Sequence, residues 1–143
     1  MAKHKGNTGE YTEQRNKELN LAYKEAANLL LKKHGHLDVI KAVDLARQMP
    51  TTRFFINEDT ASKIIKKMMS GIRPIKSMDK GKGVMYNLLY DTYMLFKNMY
   101  PRRQHDDIVA EICASPAPEF FLSTKSAYQI ISRYRRKLKN QVK

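Results

Sequence analysis

The chain has no tryptophan, a single cysteine, and only 6 glycines and 5 prolines in 143 residues. One cysteine excludes an internal disulfide and a cysteine-rich zinc site. The neighbours of Cys113, Ile112 and Ala114, suit a buried, inert thiol. No apolar run approaches the roughly 20 residues that a membrane span requires. Without tryptophan, a surface helix also lacks the usual interfacial anchor, so no membrane role is expected. Residues 1–10 are polar and charged, unlike a secretory signal. These absences point to the cytoplasm, or to a particle assembled there.

Acidic residues are scarce too. There are 14 Asp and Glu against 27 Lys and Arg, a formal net charge of +13, with a pI near 9.9. From Ser123 to the C-terminus there is no acidic residue at all. So large an excess on a small protein favours polyanion partners through long-range attraction. The hydrophobic share, 42%, is enough for a packed interior and argues against wholesale disorder.

The chain opens with a stretch, residues 1–10, that reads as a flexible basic arm containing Lys3 and Lys5. A helix follows from about Tyr11 to Lys33, its apolar stripe formed by Leu19, Tyr23, Ala26, Ala27 and Leu30 at spacings of three and four. Gly35 ends it. A shorter helix is expected from Leu37 to Gln48, with Ile40, Val43 and Ala46 or Arg47 facing inward, before Pro50 forces a loop. After Phe54-Phe55-Ile56, Asn57 is a good N-cap, and Glu58 and Asp59 favour the first turn of a third helix. That helix carries Ala61, Ile64, Ile65 and Met68 and ends near Gly71. Residues 72–83 read as a basic linker.

The same plan then starts again. Asn87-Leu88-Leu89-Tyr90 echoes Asn20-Leu21-Ala22-Tyr23 at an offset of sixty-seven. Val109, Pro116, Phe120-Phe121, Ala127, Ile130 and Ile131 match Val43, Pro50, Phe54-Phe55, Ala61, Ile64 and Ile65 at an offset of sixty-six. The change of offset implies one residue gained or lost between blocks. The Phe-Phe pair after a proline is no general helical signal, so its recurrence argues for duplication. The expected fold is all-α, a tandem duplication of a three-helix unit, about six helices in total. The first repeat spans 11–71 and the second 84–140, followed by a tail, 141–143. Each Phe-Phe segment is a very short strand or an aromatic plug, and aromatics beside a proline turn favour the plug.

Three helices, the last entered through a defined N-cap, are similar to the tri-helical helix-turn-helix module. The connection Ser115 to Leu122 is longer than that motif's tight turn, so the likeness is one of topology. The tandem Pro-x-x-x-Phe-Phe-aliphatic-(Asn/Ser) motif, followed by Ala-x-x-Ile-Ile, also resembles small duplicated helical proteins of gut Bacteroidetes and their bacteriophages. Pro116-Ala117-Pro118-Glu119-Phe120 carries a Pro-Ala-Pro-x-Phe stretch common among them. That resemblance covers most of the chain and implies a phage or mobile-element protein, including a DNA-packaging adaptor or a virion component.

The last helix holds the strongest candidate site. Ala127, Ile130, Ile131, Tyr134 and Leu138 lie on one side, while Lys125, Gln129, Arg133, Arg136 and Asn140 lie on the other. Arg135, Lys137 and Lys139 widen the positive surface. Arginine pairs bidentately with a phosphate or a guanine edge, and glutamine with adenine. A solvated helix face, or cations complementing a helix C-terminus, is the plainer account of such a run, but the missing acidic partners weigh against it. The matching first-copy helix offers Lys63, Lys66 and Lys67 beside Glu58 and Asp59, and should hold phosphate less well. Arg73, Lys76, Lys80 and Lys82 would add contacts that position a strand without reading it. The tyrosines at 23, 90 and 134 sit at helical spacing and read as core.

Catalytic signals are weak. His34 and His36 fall on different sides of any regular element, and His105 beside Asp106 and Asp107 lacks a second ligand pair. Lys80-Gly81-Lys82-Gly83 lacks P-loop spacing, and no serine has a nucleophile-elbow context. The sequence therefore reads as a non-enzymatic protein with no cofactor, no metal and no small-molecule substrate. Its expected partner is nucleic acid, DNA ahead of RNA. The alternative is a structural or assembly component of a virion, oligomeric or bound to another virion protein, whose basic surface meets packaged DNA or an acidic partner.

Overall fold

The computed structural model describes residues 3–72 and 80–142. The helices are α1 (Lys3–His34), α2 (Val39–Arg47), α3 (Glu58–Met69), α4 (Lys80–Met99), α5 (His105–Cys113) and α6 (Thr124–Val142). Among the described residues no sheet forms, and the class is all-α. The Phe-Phe segments are not strands. Phe54, Phe120 and Phe121 are buried as plugs, and Phe121 reaches its place with a φ of 59°, an uncommon left-handed conformation for a bulky residue.

Local chemistry accounts for most helix ends. Gly35 follows α1 with φ 76°, and its N–H donates to the Leu31 carbonyl at 2.8 Å. The Asp38 carboxylate accepts from the Lys41 N–H at 3.2 Å, so α2 starts at Val39 and not at Leu37. Asn57 Oδ1 accepts from the N–H of Asp59 at 2.8 Å, capping α3 as its sequence requires. At the other end of α3, Gly71 has φ 97°. Its N–H donates to Met68, and that of Ile72 to Lys67, the paired bonds of a Schellman motif. Ser123 caps α6 by accepting from the Ser126 N–H at 3.1 Å.

Two boundaries differ from expectation. Helix α1 begins at Lys3, so residues 3–10 are helical and not an arm. Gly6 and Gly9 each cost a helix about 1 kcal/mol, but propagation adds one hydrogen bond per residue fixed, and no proline interrupts it. Helix α4 begins at Lys80, so Lys80, Gly81, Lys82 and Gly83 belong to a helix and not to the linker. Linker residues Arg73 and Lys76 lie outside the described residues.

The chain forms two compact units, one of residues 1–51 with 118–143, the other of residues 52–117. In the first, α6 packs on α1 and α2; in the second, α3 packs on α4 and α5. The units therefore do not coincide with the expected repeats 11–71 and 84–140: α3 packs with α4 and α5, and α6 packs with α1 and α2. The three-helix arrangement expected within 11–71 is therefore not made by consecutive helices: α2 packs on α1 and on α6, from the other end of the chain. The connections steer this. The N–H of Phe54 donates to the Cys113 carbonyl at the end of α5, and that of Phe120 to the Arg47 carbonyl at the end of α2.

Helices α2 and α5, and the starts of α3 and α6, all correspond at an offset of sixty-six. The first helices follow the same offset. Leu19, Asn20, Tyr23 and Ala27 are buried, as are Met85, Tyr86, Leu89 and Tyr93. The buried positions correspond at sixty-six and not at the expected sixty-seven, where Asn87 is exposed against buried Asn20. Tyr90 and Tyr134 are only half-buried; the core tyrosines are Tyr23, Tyr86 and Tyr93. In α2 the inner side is Ala42, Val43 and Ala46, and Ile40 is exposed, because two alanines let neighbouring helices approach closely. In α3 Ala61, Ile65 and Met68 are buried and Ile64 half-buried.

Candidate nucleic-acid interface

Helix α6 is anchored at its N-terminal end and bare toward its C-terminal end. Ala127 and Ile131 are buried, Ile130 and Tyr134 are half-buried, and Leu138 is exposed. The inward stripe thus buries less than its spacing suggests, since α6 is long and only its first half is covered. Arg47 supplies the anchor. Its Nε donates to Asp44 Oδ1 at 2.8 Å and to Thr124 Oγ1 at 3.0 Å, and its Nη1 donates to the Leu122 carbonyl at 3.2 Å. The Thr124 hydroxyl in turn donates to Asp44 Oδ1 at 2.8 Å. Hydrogen bonds from Thr124 and then Arg47 hold the Asp44 carboxyl below its ordinary range. The i,i+3 spacing of Asp44 and Arg47 was the only sequence trace of this network; Thr124 lies far away in the chain.

The structure brings most of the expected cations to the surface of this helix. Lys125, Gln129, Arg133, Arg135, Arg136, Lys137 and Lys139 are all exposed. At about 100° per residue, Lys125, Gln129, Arg133 and Arg136 form one row. No side chain of those four makes a hydrogen bond or ion pair among the described residues. The others are partly engaged by α1. Arg135 lies over the Tyr23 ring, 5.3 Å from its centroid. Lys137 Nζ is 3.6 Å from Glu13 Oε1 across solvent-exposed side chains, so the acid missing from the last segment of sequence is supplied in part by α1. Such an exposed pair contributes about 0–1 kcal/mol and competes weakly with a phosphate.

Lys63, Lys66 and Lys67 are exposed on α3, in the other unit, and Lys82 is exposed on α4. They are not on the α6 row. Of the formal excess of +13, nine charges fall in the unit that holds α6, with sixteen basic and seven acidic residues.

Two histidine expectations change. His34 and His36 come together, ring centroids 6.1 Å apart, because the chain turns at Gly35 and no regular element continues. With Asp38 they line a cavity of about 170 Å³. His105 lies between Ser62 Oγ, 2.8 Å from Nε2, and the Tyr93 hydroxyl, 2.9 Å from Nδ1. Burial, then Lys66, push the His105 pKa down. This chain of polar groups ties α3, α4 and α5 together, and its sequence signal was absent, since the three residues share no local spacing. Among the described residues, no group of three or more His, Cys, Asp or Glu is placed to hold a metal ion.

Comparison with protein-family models, curated proteins and solved structures gives no match. Nor is any helix among the described residues long and apolar enough to cross a membrane.

Proposed function

We propose that the chain is a non-enzymatic nucleic-acid-binding protein that takes double-stranded DNA against the outer face of α6, in the regulation or DNA packaging of a phage or mobile element. One observation carries this reading: the side chains of Lys125, Gln129, Arg133 and Arg136 are exposed and make no hydrogen bond or ion pair among the described residues. Three cations flanking one glutamine supply phosphate contacts and a group able to read a base edge. The first half of α6 is fixed by the Arg47 network, so the row is presented from a supported helix. We further propose that the two halves descend from one duplicated unit, which the common offset of helix bounds and buried positions supports.

The test is binding to a random double-stranded DNA pool at several salt concentrations, with the retained fraction sequenced. Affinity should fall steeply with salt and a motif should be enriched. Arg133→Ala with Arg136→Ala should weaken binding and reduce the salt slope by about 2. Feeble retention at physiological salt, with no enriched sequence, would overturn the reading. It would leave the charge to an acidic protein partner or to the interior of a virion.

A further inference from the structure

His105 is the first residue of α5 and bonds to both helices packed on that element. Its Nε2 lies 2.8 Å from Ser62 Oγ of α3, and its Nδ1 lies 2.9 Å from the Tyr93 hydroxyl of α4. Counting donors places the protons on this chain. Tyr93 is 1% exposed, and Nδ1 is the only hydrogen-bond partner of its hydroxyl among the described residues. A buried O–H left without an acceptor is costly, so the phenol donates and Nδ1 accepts. The neutral ring then keeps its proton on Nε2 and donates it to Ser62.

Charging the ring undoes one of these bonds. An imidazolium donates from both nitrogens. Ser62 Oγ still accepts from Nε2, but the Tyr93 proton loses its acceptor inside the fold. The surroundings resist the charge as well. The start of α5 presents the positive end of its helix dipole to its own first residue. Burial acts most strongly against the charge, Lys66 of α3 and Lys97 of α4 repel it, and Asp106 of α5 favours it. The ring is half-buried and not sealed, so solvent protons reach it.

We propose that His105 is an acid-operated latch for the unit of residues 52–117: neutral, it joins α3 and α4 to α5; charged, it gives up Tyr93 and lets that unit open while the unit carrying α6 stays folded. Its reach follows from placement. Ser62, Lys66, Tyr93, Lys97, His105 and Asp106 all belong to residues 52–117. The polar cluster of the other unit is centred on the Asp44 carboxylate, bonded to Arg47 and Thr124. Those bonds hold the carboxylate in its charged form, so mild acid leaves that cluster intact. The latch does not depend on what the outer face of α6 binds.

The experiment uses the full chain, with imidazole nitrogen-15 shifts and amide hydrogen exchange followed from about pH 7 to about pH 5, where free carboxylates stay largely charged. At the neutral end the His105 shifts should show a proton on Nε2 and none on Nδ1. At the acid end, opening of α3, α4 and α5 should have risen about tenfold relative to α1, α2 and α6. Tyr93→Phe removes the phenol and keeps the ring, and should cut that step to about twofold. Ser62→Ala spares the Tyr93 bond and should keep the step in full. His105→Gln should abolish it. Should Tyr93→Phe fail to fold, the tautomer of the wild-type ring still decides. A proton on Nδ1 at neutral pH, an acid step of equal size in both units, or one that Tyr93→Phe leaves unchanged would overturn the proposal.

Discussion

The backbone N–H of Phe120 donates to the carbonyl of Arg47 at 3.1 Å, and this one bond fixes the start of α6 against the end of α2. The Arg47 side chain then reaches forward to Leu122 and Thr124. An interaction between residues so distant in the chain makes the last helix part of the first helix's core. Cys113 and Phe54 repeat the bond at 3.0 Å in the other unit.

Because each unit draws helices from both sides of the α3–α4 connection, cutting that connection should not separate the halves. A protease site introduced within residues 73–79 should give two fragments that elute together at native pH. They should part only in denaturant. Independent elution without denaturant would contradict the packing of α3 on α4 and α5 and of α6 on α1 and α2.

Thr124 both donates to Asp44 and accepts from Arg47. Replacing it with Val removes both bonds at a half-exposed site, and should cost about 0.5–1.5 kcal/mol in urea denaturation. The Asp44 pKa is held below the ordinary range of a free aspartate. Its contribution is therefore present above that range and is lost as pH falls through the depressed folded pKa. The loss on acidification should be smaller in Thr124→Val than in the wild type.

His105 adds a loss in the same direction, although there the fold favours the neutral form. Desolvation first, with Lys66 and Lys97 adding, lowers its pKa below 6.5, while Asp106 opposes them. The folded state thus favours the neutral ring, and the unfolded state takes up its proton first. Stability should be fully present above about pH 6.5 and fall as the pH drops below it. Urea midpoints at neutral and mildly acidic pH would show this, and His105→Gln, which does not ionise there, should flatten the dependence over that range.

Burial pushes the Cys113 thiol up to about 11, and the residue has no exposed surface. A thiol-specific reagent at mildly alkaline pH should leave the native protein unmodified and react fully once it unfolds. Rapid modification of the folded chain would mean that α5 opens locally.

The sequence by itself determined the local structure. Gly35, Asn57, Gly71, Glu58 and Asp59 set helix ends through forces that act within a few residues, and the recurring Phe-Phe motif set the order of elements. It also determined which α6 cations are available, because periodicity places Lys125, Gln129, Arg133 and Arg136 on one side of any helix. It did not determine which helices share a core. The apolar faces of α3 and α6 are similar, with Ala61 and Ile65 buried in one as Ala127 and Ile131 are in the other, so hydrophobic burial alone does not say which pair of helices each covers. The Phe54–Cys113 and Phe120–Arg47 bonds settle that choice. Nor did the sequence determine that Lys24 on α1 lines a cleft with Arg135, Arg136 and Lys139, because only the packing of α6 brings them beside it.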